Sequence, residues 1–227
     1  MDQEMEEDLF GPSPWVFQPV PQVPGLWIGK GLLEQKDQSI VEGAIREIHP
    51  DFLTSSHLNQ SMSFGASLPR YAALALKSMD LSQCEFLQDA LDQEDWELIR
   101  EGQYFTQTIL NGYLPGQGIR PHVDLARFGH VILGISLGSG CNMNFTPVNS
   151  SAVGQTGYDM IGPETQGITW TQRLEPGDVY IMTGEARWKW MHGIPECMVD
   201  PVEDDQVARG TRISITLRRV INANPEA

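Results

Sequence analysis

The chain changes texture at residue 103, and that change limits the folds open to it. Beyond it, runs rich in β-branched and aromatic residues (104–113, 131–137, 142–146, 168–174, 178–183, 187–191 and 211–220) are separated by Gly, Pro and Asn. Many short strands between turn residues predict a sandwich or jelly roll. The stretch 147–167 is polar and Gly-rich and reads as a long surface loop. Upstream, the period is helical. Leu32, Leu33, Ile40, Val41, Ala44, Ile45 and Ile48, with charges between them, predict an amphipathic helix over 32–48. Shorter helices are expected over 71–79 and 93–100, the last with Asp92 as N-cap. Helices first and strands later give an α+β arrangement.

Residues 1–25 mix acid with five prolines and are expected to begin disordered and then run extended; residues 26–227 are expected to form one domain. The net charge of −15 excludes a polybasic membrane anchor or a histone-like coat. It is uneven: residues 1–102 carry −12 and residues 103–227 only −3, so an anionic substrate belongs to the second half. Cys84, Cys141 and Cys197 are far apart and form no CxxC pair, which predicts reduced thiols. The acidic start resembles no secretory or transit signal, and no run of 18 apolar residues marks a membrane span. The expected location is cytoplasm or nucleus. GxSxG, GxGxxG and P-loop elements are lacking, which argues against serine hydrolase, dehydrogenase and kinase readings.

Only five histidines are present. His122 stands two residues before Asp124 in RPHVDLARFGH, and in an extended segment positions i and i+2 share a side. His192, in WKWMHGIP, lies 68 residues further on. Two imidazoles and one carboxylate make the facial triad of a non-haem Fe(II) site. Taken singly, HxD recurs by chance, and a lone His192 is more often a packed or surface imidazole than a ligand.

The run 212–218 reads Arg-Ile-Ser-Ile-Thr-Leu-Arg, so alternation puts Arg212, Ser214, Thr216 and Arg218 on one face. Two cations on a buried face need a partner. They stand roughly 20 Å apart at ~3.3 Å per residue, and side chains leaning together leave room for a short dicarboxylate such as 2-oxoglutarate. An exposed edge strand guarded by its charges explains the same pattern. Asn111 and Tyr113, at the end of 104–113, share a face and offer an amide and a phenol.

Together NGYLPGQGIRPHVD, ISLGSG, GDVYIMTGEARWKWMHGI and RISITLRR resemble, in order and spacing, the AlkB family of Fe(II)/2-oxoglutarate dioxygenases. The resemblance runs over roughly 60–220, with NQSMSFGASLP looser and placed like that family's nucleotide-recognition lid. It implies a double-stranded β-helix (jelly-roll) core with N-terminal helices. It implies that His122, Asp124 and His192 bind Fe(II). Asn111, Tyr113, Arg212, Ser214 and Arg218 would hold 2-oxoglutarate, Arg212 at the far carboxylate and Arg218 at the metal end, with O2 as second cosubstrate. One departure concerns Ala126, where DNA-repair members carry an acid that contacts the base. The block GEARWKWMHGI is closer to the eukaryotic branch that includes tRNA-modifying members.

The activity implied is oxidative demethylation of N-alkylated bases in single-stranded DNA or RNA, with succinate, CO2 and formaldehyde as products. Alternatives are hydroxylation of a tRNA modification or a protein side chain, and a non-catalytic binding module on the same fold. The sparse cations favour single-stranded nucleic acid over long duplex. The expected state is a monomer away from membranes. Phe64, Tyr71, Trp188 and Trp190 are candidates to stack on a base.

Overall fold

A computed structural model describes residues 17–54, 59–162 and 165–221. The expected disorder of residues 1–16 lies outside them. Strands β1 (Phe17–Pro19) and β2 (Leu26–Gly29) precede helix α1 (Gln35–Ile48), and β3 (Gln60–Phe64) leads into α2 (Arg70–Lys77), α3 (Glu85–Ala90) and α4 (Gln93–Arg100). The strand-rich half runs β4 (Gln107–Tyr113), β5 (Ile119–Val123), β6 (Phe128–Gly138), β7 (Cys141–Pro147), β8 (Gly157–Tyr158), β9 (Trp170–Leu174) and β10 (Val179–Met182). Helix α5 (Gly184–Trp188), β11 (Trp190–Ile194), β12 (Val199–Val202), β13 (Asp205–Ala208) and β14 (Arg212–Val220) complete it.

The helices form where the sequence marks them. In α1, Val41, Ala44 and Ile45 bury one stripe at i, i+3 and i+4. Leu32 and Leu33 are buried just before the helix, with the Leu33 amide donating to Gly177 and its carbonyl accepting from the Gln38 side chain at 2.8 Å. Asp92 caps α4 as expected, its carboxylate accepting from the Asp95 amide at 2.8 Å. Glu94 and Asp95 in the first turn and Arg100 in the last suit the helix dipole.

Seven strands form one sheet in the order β1-β2-β10-β6-β14-β4-β3, and five form a second in the order β8-β5-β11-β7-β9; all pairings are antiparallel. This is the α+β jelly-roll architecture. The helices cover the outer face of the larger sheet, where Val41, Ile45, Tyr71 and Leu87 join Leu110, Leu133, Ile135, Ile215 and Leu217 in one core. A second core fills the space between the sheets, with Ile132, Met143, Phe145, Leu174, Tyr180 and Ile194.

Four local expectations change. Strand β14 lies between β6 and β4, so its charged face is not an exposed edge. Residues 184–188 are helical, and the strand starts at Trp190, which moves His192 to the middle of β11. The segment 147–167 is not a plain loop: β8 pairs with β5, and Val148, Ala152 and Met160 pack with Val123 and Met191. Of the segment expected to run extended up to residue 25, Phe17–Pro19 pairs with β2, and Val20 and Val23 are buried. Strands β2, β3, β5, β12 and β13 were not marked by alternation, being short or broken by Gly and Pro. A buried Asp200, bridged by Arg209 and Arg173, ties the β12–β13 hairpin to the smaller sheet. All three cysteines are free, as expected.

Candidate metal and cosubstrate centre

Strands β5 and β11 are neighbours in register, and His122 sits directly opposite His192 with ring centroids 4.4 Å apart. Asp124 follows β5 by one residue, and its Oδ2 lies 3.5 Å from His192 Nε2. One ligand atom from each residue falls within 4.8 Å of the others. His122 Nδ1 is 2.9 Å from the Arg120 carbonyl; a proton donated there leaves Nε2 as the free ligand atom.

The protonation states suit a metal. Burial, then the neighbouring His122, pulls His192 down to about 3, so its ring is neutral at ordinary pH. Burial alone would raise the Asp124 carboxyl, but the Arg218 guanidinium on Oδ1 outweighs it and holds the group below the usual range. Asp124 Oδ2 is buried with no hydrogen-bond donor, which is the arrangement a cation completes.

Sequence reasoning missed the residue that holds this ligand in place. Arg187, on α5, is buried, and its guanidinium donates to the carbonyls of Asp124, Leu125, Phe128 and Gly129 at 2.8–3.1 Å. It also lies over the Trp188 ring at 3.8 Å. Burial pulls it down to about 10, so it stays charged at pH 7. Nothing in the local sequence separates Arg187 from a surface arginine. Arg187→Met would strand several buried carbonyls at once. We expect a loss of about 3 kcal/mol or more, lowering Tm by roughly 6–12 °C. An unchanged melt would show that the turn 124–129 needs no such clamp.

The expected cosubstrate residues converge on the inner face of the larger sheet. Register places Arg212 beside Tyr113 and Gly138, Ser214 beside Asn111 and Ser136, and Arg218 beside Gln107 and Ile132. Arg212 is 3 % exposed and donates through Nε to Ser136 at 3.3 Å, while both terminal nitrogens are buried and unpartnered. A buried guanidinium in that condition is costly until an anion reaches it. A short carboxylic acid therefore fits this cradle. The Tyr113 ring lies 5.4 Å from the Arg212 guanidinium, and burial raises its phenol, which stays protonated and able to donate. Asn111 accepts from Gln60 at 2.6 Å. Arg218 is committed to Asp124 and keeps a buried, unpartnered Nε. Tyr180, unforeseen from sequence, shares this interior. Its ring occupies the space a Cβ at Gly134 would take, and burial pushes its phenol up to about 12.

A cleft of about 340 Å³ opens over His122, Asp124 and Arg218. Of the four aromatics proposed to stack, only Phe64 lines it, 60 % exposed on the edge strand β3. Tyr71 is wholly buried among the helices, Trp188 lies against Arg187, and Trp190 packs between the sheets. Tyr158, hidden from sequence reasoning in the supposed loop, also lines the cleft, 53 % exposed. Ala126 is exposed and does not line the cleft.

A two-histidine, one-carboxylate centre inside a double-stranded β-helix, with an anion cradle behind it, defines the class of the 2-oxoglutarate-dependent non-haem iron oxygenases. The sequence profile of the 2OG-Fe(II) oxygenase superfamily matches residues 69–218, well over half of the chain, and the chain belongs to that family. Its cofactor set is Fe(II), 2-oxoglutarate and O2. An uncharacterized protein L905 of Acanthamoeba polyphaga mimivirus is 38% identical over 119 residues, covering 51% of this chain and 48% of that protein. The Arabidopsis thaliana "Alkylated DNA repair protein ALKBH8 homolog" is 33% identical over 120 residues, covering 51% and 34%. The Xenopus tropicalis "tRNA (carboxymethyluridine(34)-5-O)-methyltransferase alkbh8" is 32% identical over 131 residues, covering 50% and 18%. The chain thus matches less than half the length of these relatives. The solved structure of OsALKBH1 superposes with a TM-score of 0.54 at 18% identity, over 90% of this chain and all of that one, which speaks for the fold. Proteins named for the ALKBH group are among those this oxygenase is similar to.

Proposed function

We propose that this oxygenase oxidises a C–H bond on a modified base in single-stranded nucleic acid. The observation that carries the reading is the cleft, which two of the metal ligands, His122 and Asp124, line together with two exposed aromatics, Phe64 and Tyr158. Base–aromatic stacking is the recognition such side chains supply, and a single strand reaches them without the cost of flipping. Arg127 lines the cleft and offers a cation for a short backbone segment, while Arg120, paired with Asp159 at 2.9 Å, stands 5.3 Å from the Tyr158 ring.

In this reading His122, Asp124 and His192 hold the iron. Arg218 keeps Asp124 ionised, and Arg187 fixes the turn that presents it. Arg212 grips the far carboxylate of 2-oxoglutarate, with Tyr113, Ser214 and Asn111 lining the same face. Iron held there would supply oxidative chemistry in which O2 is the oxidant, one oxygen atom ending in the succinate formed with CO2 from 2-oxoglutarate and the other in the substrate C–H. If that carbon is an N-methyl group, the hydroxymethyl product sheds formaldehyde and the base is demethylated. If it is carbon-linked, the hydroxyl stays. The names of the Arabidopsis and Xenopus relatives, one for alkylated DNA repair and one for a tRNA uridine methyltransferase, favour nucleic acid in either case.

Succinate formation against single-stranded methylated oligonucleotides, tRNA and peptides tests the reading. Turnover is expected with nucleic acid, and Phe64→Ala is expected to raise KM about tenfold through lost stacking. Turnover with peptides alone would remove the nucleic-acid assignment.

A further inference from the structure

Gln107 is a polar side chain with no work in the fold. It is wholly buried, yet neither its amide nitrogen nor its carbonyl oxygen has a hydrogen-bond partner. Buried carboxamides are almost always paired, because an unpaired donor and acceptor each lose their water for nothing. Register shows where it belongs. Phe64 on β3, Gln107 on β4 and Arg218 on β14 form one row across three strands, and all three line the cleft that holds His122 and Asp124. The row places an exposed aromatic, an idle amide and the Asp124-bound arginine side by side.

The charges around it set what can approach. Among the described residues, Asp124 is the only carboxylate lining the cleft, and it is already paired with Arg218. Arg127 adds a second cation. A ring carrying a positive charge would enter next to two guanidiniums with no free carboxylate to meet it.

We propose that Gln107 determines specificity by reading an uncharged base edge that presents one donor beside one acceptor. The inference rests on the nucleic-acid reading above. A carboxamide has one donor and one acceptor side by side, so it pairs bidentately with such an edge. A base alkylated on a ring nitrogen of that edge has lost the matching group, and some such bases are cationic as well. The substituent to be oxidised therefore lies away from the edge that Gln107 holds.

The test is a binding measurement. The full chain, loaded anaerobically with Fe(II) and 2-oxoglutarate, is titrated by fluorescence anisotropy with single-stranded RNA pentamers. Four positions are abasic, and the centre carries uridine, 3-methyluridine or 3-methylcytidine. The wild type is expected to bind the uridine probe at least about tenfold more tightly than either other probe, the scale of losing one well-made buried hydrogen bond. Gln107→Leu is expected to level the three, and Gln107→Glu to invert the order in favour of the cationic 3-methylcytidine. A role in packing alone would weaken all probes together. Equal wild-type affinity for uridine and 3-methylcytidine overturns the inference, and that comparison needs no variant to fold. Retained discrimination in a folded Gln107→Leu protein overturns it too. If the wild type binds none of the pentamers, the nucleic-acid reading falls with it; if it binds all without preference, only the role of Gln107 falls.

Discussion

Arg212→Ala is expected to weaken 2-oxoglutarate binding by some two to four decades while leaving iron binding near wild type. The guanidinium is buried with both terminal nitrogens unpaired, so its bond energy is held back for an anion. Breaking a buried charge pair typically costs about 3–5 kcal/mol, which sets the size of the loss. Lysine should restore only part of it, since a point charge cannot reproduce the planar fork. The ligand-free protein responds in the opposite direction. Arg212→Met keeps much of the packing and removes an uncompensated charge, which should raise the Tm measured without 2-oxoglutarate by about 2–4 °C for each kcal/mol relieved. The rise in Tm that 2-oxoglutarate induces in the wild type should vanish in the same variant. An Arg212→Ala enzyme with unaltered 2-oxoglutarate affinity would move this strand to another role.

His192→Ala is expected to lower Fe(II) affinity at least about a hundredfold without unfolding the domain. Even loss of a group that merely orients a ligand costs 10–100-fold, so loss of a ligand itself costs no less. The ring is neutral and buried beside Phe145, so the substitution removes a donor and leaves a small cavity rather than an orphaned charge. Iron content after anaerobic desalting measures it directly. Stoichiometric iron in the variant would show that Asp124 and His122 find their third ligand elsewhere. A melt within a few degrees of wild type would separate this loss from general unfolding.

The two outcomes bear on different parts of what the sequence disclosed. The i, i+2 relation of His122 and Asp124, and the alternation of Arg212, Ser214, Thr216 and Arg218, could be read from spacing because they depend only on strand period. Likewise the amphipathic stripe of α1 and the Asp92 cap depend on neighbours within a turn. Whether the arginine face was a guarded edge or a buried cradle could not be read that way. The flanking strands β6 and β4 decide it, and their paired residues stand 74 to 111 positions away along the chain.

Long-range pairing also settled what the local pattern misjudged. Gly184–Trp188 forms a helical turn between two strands, and Gly157–Tyr158 becomes a strand only because β5 lies beside it. Arg187 and Gln107 show the limit most clearly. Both are polar residues that local sequence would send to a surface or a strand face, and both are buried. One is fully engaged by four carbonyls and the other is engaged by nothing. The sequence by itself determined which residues share a face, and hence the His122–Asp124 pair and the Arg–Ser–Thr–Arg row. Only the tertiary structure decided what covers each face, because burial and hydrogen-bond partners are set by strands brought together from distant parts of the chain.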